Sequence, residues 1–189
     1  MAVSYLLLII SIVWILSEII LSRMTYSHSE QAKTLDRSSL PFLWITIAVS
    51  VNLGILLGFT GIGFISYKPI LISHVGIVLI LLGLFVRWWA ILILRRYFTA
   101  NVSIQNGHQL IMNGVYKYVR HPSYAGAILS FFGLGIAFSN WLVTIIIFFP
   151  ILFAFLRRIR IEEDVLRKHF GEAYEQYSKN TSCLIPKIY

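Results

Sequence analysis

The chain has 189 residues, of which 58% are hydrophobic and 13% charged, and its formal net charge is +8. A soluble domain carries about 45–50% apolar and about 25% charged residues, so this composition excludes an ordinary soluble domain and leaves no room for a separate one. The basic excess is that of loops beside anionic lipid headgroups, not of a nucleic-acid binder, and the single cysteine, Cys183, excludes an intrachain disulfide and a Cys-rich metal site.

A spanning helix needs about 20 apolar residues, and runs of that length recur along the chain. The first span covers about residues 2–21. It lacks a basic leader and a small-residue cleavage site, so it reads as a retained span. A polar stretch, 22–39, follows. The second span is about 40–62, with Pro41 in the first turn, where a missing N–H costs little. Gly61, Gly63 and Pro69 mark a short turn, and the third span is about 70–94. Gly76 and Gly83 in it allow close helix packing. The long polar stretch 95–122 leads to spans four and five, about 123–138 and 141–156, split only by Ser139 and Asn140. Segments so short suggest a helical hairpin that does not fully cross. The polar tail opens as an amphipathic helix over 157–177, with Ile161, Val165, Leu166, Phe170, Tyr174 and Tyr177 near helical spacing. Such a helix lies on the membrane surface or covers the ends of the spans.

The expectation is an all-α polytopic membrane protein of about five transmembrane helices with a C-terminal amphipathic cytoplasmic helix. It forms one membrane domain, 1–189, with a three-span part, 1–94, and a catalytic part, 95–189. With five spans, 14 of the 16 Lys and Arg residues fall on one side, leaving Lys68 opposite and Arg87 inside the third span. The positive-inside rule then puts the N-terminus outside and the C-terminus in the cytoplasm.

Two polar segments carry the chemistry. In the first, 105–126, Pro122 disfavours helix at His121, and Ser123 suits the N-cap of span four. His121 is thus held at a helix entrance that favours an anionic group, or else belongs to a basic, aromatic anchoring belt. In the second, 157–164, Arg158 and Glu162 are four apart and share a helix face, with Glu163 one residue round. Acids against a bilayer need water, a cation or a partner; a solvated, salt-bridged helix start is the plainer alternative. Arg87, beside Trp88 and Trp89, either lines a lateral passage or snorkels to the interface. Glu18 and Asn52 read as interhelical polar contacts. His28, His74 and His169 have no partner pattern. No two histidines sit at ligand spacing, so no metal is expected.

The run Gly114-Val115-Tyr116, Arg120-His121-Pro122-Ser123-Tyr124-Ala125-Gly126, then Arg158, Glu162-Glu163 and Phe170-Gly171-Glu172 with Tyr174, resembles the isoprenylcysteine carboxyl methyltransferase family. The likeness extends to the small membrane methyltransferases that include phospholipid N-methyltransferases. It covers roughly 105–177, and the earlier spans match only in character. The resemblance implies S-adenosyl-L-methionine as methyl donor and S-adenosyl-L-homocysteine as product. It also implies that Gln105, His108, Gln109, Leu110, Ile111, Tyr116, His121, Pro122, Ser123, Tyr124 and Glu162 line the cofactor site. Arg158 would approach a substrate carboxylate, and Glu163 matches the adjacent family acid, giving Arg158, Glu162 and Glu163 as the catalytic set. The implied substrate is a prenylated or other lipidic molecule entering sideways from the bilayer. Eukaryotic members have additional spans. The competing expectations are N-methylation of a phospholipid amine and a non-catalytic anchor or transport subunit.

Overall fold

The computed structural model describes residues 2–26, 39–104 and 107–186. Among the described residues six α-helices follow one another: α1 (Ala2–Thr25), α2 (Ser39–Thr60), α3 (Pro69–Leu94), α4 (Pro122–Ala137), α5 (Trp141–Phe170) and α6 (Glu172–Asn180), with short 3₁₀ turns at Arg95–Tyr97 and Gly114–Lys117. Four of them, α1, α2, α3 and α5, are long and apolar enough to cross a membrane. Their outward faces carry large apolar side chains such as Ile45, Leu56, Phe85, Leu92 and Phe153, as lipid-facing helices do. Among the described residues, this integral membrane protein has four helices long enough to span and one shorter apolar helix, α4, that runs between the same two ends.

The fourth and fifth spans differ from the expected hairpin of equals. With 16 residues, α4 is about 24 Å long at 1.5 Å per residue, short of a hydrocarbon core of about 30 Å. In contrast, α5 has 30 residues and runs from the apolar segment straight through Arg158 and Glu163. The amphipathic tail is therefore the second half of a spanning helix, not a separate one. It breaks at Gly171, whose φ of +54° favours glycine, and α6 resumes beyond it.

Close packing of α3 on α4 explains the shortness of the side chains between them. A Cβ added to Gly83 would lie 2.5 Å from the Gly126 carbonyl oxygen, and one on Gly76 would lie 2.6 Å from that of Gly133. Helices inside a bilayer gain little from the hydrophobic effect against each other, so backbone approach through small residues does the work. Ser130, wholly buried, donates to the Ile80 and Gly126 carbonyls. Elsewhere α2 packs on α5 through Gly54 against Ile147. The core of Trp14, Leu43, Ile80, Phe131, Ile147 and Phe155 ties the helices together.

The connections segregate to two ends. At one end Ile65 N–H donates to the Ser139 carbonyl (2.8 Å) and Trp141 N–H to that of Gly63 (3.1 Å). Asn140 caps α5, accepting from the Leu142 and Val143 N–H groups, and its amide reaches the Ile62 carbonyl. At the other end Ala100 N–H donates to the Thr25 carbonyl, and Arg158 Nη1 donates to Ser39 Oγ (2.9 Å). The end of α1, the start of α2, the segment after α3 and the charged stretch of α5 thus meet on one side.

Candidate active site

The corner before α4 is held from both sides. Pro122, with its fixed φ, opens the helix at its first position, and His121 is the N-cap residue; Ser123, expected as cap, sits one turn-position inside. The chain then folds back after α6. Arg120 N–H donates to the Ser182 carbonyl (2.9 Å), His121 N–H to that of Cys183 (3.0 Å), and Ser182 N–H to that of Tyr118 (3.1 Å). The Arg120 guanidinium donates to the Ser178 carbonyl (2.9 Å) and to that of Thr181, the C-terminal carbonyls of α6 that attract a cation.

Against this corner lies the acidic stretch of α5. Arg120 Nε donates to Glu163 Oε1 (2.8 Å), His121 Nε2 lies 3.3 Å from the same oxygen, and Arg167 reaches Oε2 (3.2 Å). Glu162 accepts from the Tyr124 hydroxyl at 2.6 Å, and that hydroxyl accepts from Arg158 Nε at 3.0 Å. Arg158 is 2% exposed; its Nη2 donates to the Ala100 carbonyl (2.5 Å). A buried arginine so engaged is fixed in direction, with its fork turned by design of its neighbours.

Corner and helix border a polar cleft open to solvent. His108, Gln109, Leu110, Ile111, Tyr116, His121, Ser123, Tyr124, Arg158 and Glu162 all line it. Of the expected residues, Pro122 is buried behind it as the first residue of α4. Glu163 is absent from its wall, its carboxylate committed to Arg120, His121 and Arg167. Gln105 lies outside the described residues. His108 stacks on Tyr97 with ring centres 4.9 Å apart and meets Phe170 edge-on. Burial, then the neighbouring His169, lowers its pKa from 6.5, so it is neutral at neutral pH. Burial raises the Tyr177 hydroxyl to about 12; it donates to the Tyr116 carbonyl at 2.7 Å.

A second, apolar cleft opens among α1, α2, α4 and α5, walled by Trp14, Leu43, Trp44, Phe131 and Phe155. Arg87 lies in its wall, bonded to Glu18 through Nε (2.5 Å) and Nη2 (2.7 Å) and to the Ser123 carbonyl (3.3 Å). Glu18 is thus an interhelical contact, as expected. Asn52 is not; its amide donates to Ala48 of its own helix. Tyr124 and Arg158 line both clefts.

Sequence reasoning missed several lining groups: Thr99, Asn101, Val102 and Ser103 before the recognised run, and Tyr174 and Tyr177 inside it, to which no site role was given. The cluster of small polar residues after the third span was the available signal for the first group. It also missed that Cys183 comes back to His121 and Glu163, with one ligand atom of each within 4.8 Å of the others. Arg120 sits on that same carboxylate, which sets a fixed positive charge beside the three. Burial raises the Cys183 thiol to about 11, so it stays protonated.

Residues 75–168 match the isoprenylcysteine carboxyl methyltransferase family. A probable protein-S-isoprenylcysteine O-methyltransferase of Oryza sativa subsp. indica is 34% identical over 119 residues, which are 62% of this chain and 62% of the relative. The protein-S-isoprenylcysteine O-methyltransferase of Schizosaccharomyces pombe is 38% identical over 81 residues, 43% of this chain and 34% of that one. The structure of a eukaryotic intramembrane Ras methyltransferase superposes with a TM-score of 0.59 at 28% identity, covering 86% of this chain and 55% of that chain. The chain therefore spans about three fifths, or less, of the length of these relatives.

Proposed function

From its place in the isoprenylcysteine carboxyl methyltransferase family, to which the chain belongs through residues 75–168, we propose that it methylates the carboxylate of a lipidated, isoprenylcysteine-like substrate at the cytoplasmic membrane face. The observation that carries this reading is the wall common to the two clefts, Phe98, Thr99, Tyr124 and Arg158. It brings a polar cleft and an apolar one to a single guanidinium. The orientation, N-terminus outside, rests on the gathering of basic loops at the end where the clefts open.

S-adenosyl-L-methionine fits the polar cleft by chemistry. It has a sulfonium cation, an amino-acid zwitterion and an adenine. Glu162 complements a cation, the Tyr97–His108 stack with Leu110 and Ile111 suits a flat base, and the buried Tyr174 hydroxyl has no hydrogen-bond partner among the described residues. When bound, this donor supplies a methyl group activated by positively charged sulfur.

The chain supplies position. A substrate carboxylate is already ionised at neutral pH, so no strong general base is required. Arg158, held by Tyr124, Ser39 and Ala100, orients the carboxylate with a charge-assisted contact that lysine reproduces poorly. Proximity and orientation of this kind contribute about 7–11 kcal/mol. Glu163 acts as a positioning residue, holding Arg120 and His121 against α5. The lipid chain stays in the apolar cleft, since each CH₂ moved from water contributes about 0.8 kcal/mol. Labelled methyl transfer by purified protein, offered a prenylcysteine analogue and phosphatidylethanolamine side by side, tests the proposal. Methylation of the amine lipid alone would replace it with N-methylation; no transfer to either would leave the anchor reading.

A further inference from the structure

Five tyrosines line the polar cleft, and four have hydroxyls that are paired. Tyr97 donates to the Gly107 carbonyl (3.1 Å), Tyr116 to that of Ala90 (3.4 Å), Tyr124 to Glu162 (2.6 Å) and Tyr177 to the Tyr116 carbonyl (2.7 Å). Tyr174 is the exception. Its side chain is 1% exposed, it lines the cleft, and its hydroxyl is the buried side-chain polar atom with no partner among the described residues. A buried donor left unmade carries its full desolvation penalty, whereas phenylalanine would fill the same space without one. Burial, then the Glu163 carboxylate nearby, pushes its pKa far above the ordinary tyrosine value, so the group stays protonated and able to donate.

We propose that Tyr174 is a ligand-binding residue whose hydroxyl donates a hydrogen bond to an acceptor atom of the methyl-donor nucleotide. This rests on the methyltransferase reading of the polar cleft. It extends the binding surface onto α6, to a residue that the resemblance gave no role. That helix reaches the site because Gly171 turns the chain and Tyr177, one helical turn on, fastens it to the Tyr116 carbonyl.

The test uses the full chain in lipid nanodiscs, with S-adenosyl-L-homocysteine binding followed by calorimetry and the melting temperature measured without ligand. Tyr174→Phe is expected to weaken binding by about fivefold to tenfold, the size of one neutral hydrogen bond, while the ligand-free melting temperature stays level or rises. Tyr177→Phe, which removes a bond already made, is the control and is expected to lower that temperature. Affinity of Tyr174→Phe within twofold of wild type overturns the proposal. So does a ligand-free melting temperature that falls as far as that of Tyr177→Phe, or a variant that fails to fold, since either gives the hydroxyl a structural partner. Wild-type protein that binds no S-adenosyl-L-homocysteine refutes the methyltransferase reading itself, a result distinct from the other three.

Discussion

The polar cleft and the apolar cleft share four residues, Phe98, Thr99, Tyr124 and Arg158, and are otherwise built by different means. The polar cleft is made of connections and helix ends: the segment after α3, the corner at His121, the charged stretch of α5 and the returning tail. Its loop backbone groups cannot bond within a helix, so side chains and other loop segments satisfy them. The apolar cleft is walled mostly by helices whose backbones satisfy themselves, with apolar bulk at positions such as Trp14, Leu43 and Phe131 beside the Glu18–Arg87 pair. Particular residues are therefore required across the polar cleft, whereas volume and polarity decide most of the apolar one.

The largest expected effect falls where the clefts meet. Arg158→Ala should lower methyl transfer by at least about a hundredfold, because the acceptor loses its orienting group. S-adenosyl-L-homocysteine affinity should change by less than about threefold. Glu162→Gln should do the reverse in emphasis, losing nucleotide affinity by about tenfold with lipid binding intact. Near-wild-type transfer in Arg158→Ala, read by labelled methyl incorporation, would remove the shared wall from the account.

Next in size is the corner itself. Glu163→Gln leaves Arg120 and His121 without their common carboxylate, and breaking a buried pair costs about 3–5 kcal/mol. A drop of several degrees in melting temperature is expected. Losing activity with no change in melting temperature would instead make Glu163 a group that touches the reactants.

The smallest effect is on pH. The pKa of His108 is lowered in the folded state, so between that lowered value and 6.5 the unfolded chain binds more protons. Stability then falls as pH drops through that window and is fully present above it. The pH dependence of the melting temperature should be shallower in His108→Asn than in wild type. An unchanged slope would free His108 from the buried stack with Tyr97.

The same division decides how much was legible in the sequence. The polar corner announces itself through Pro122, the adjacent histidine and the i, i+4 pair of Arg158 and Glu162, because helix starts and shared helix faces are local properties. The contact between the two stretches was legible too, through the family resemblance. The return of residues 182–183 to the corner was not, since three backbone hydrogen bonds leave no side-chain pattern. Tyr174 and Tyr177 were visible as an apolar stripe, yet a stripe does not say whether it meets lipid or a cleft. The separation of the tail helix from span five failed for a plain reason. A change from apolar to charged residues at Arg157 alters the medium a helix stands in, not its backbone, and only Gly171 stops it. The Glu18–Arg87 pair was half legible: each polar residue stood out, but nothing local said that they were 69 positions apart and bonded.

The central claim is that a lipid tail in the apolar cleft delivers its head to Arg158. A prenylcysteine analogue bearing a photoreactive group on the prenyl chain, photolysed in nanodiscs and mapped by mass spectrometry, tests it most directly. The account predicts adducts on Leu43, Trp44, Phe131 or Phe155. Adducts confined to the outward faces of α2 and α3, at residues such as Leu56 and Phe85, would contradict it.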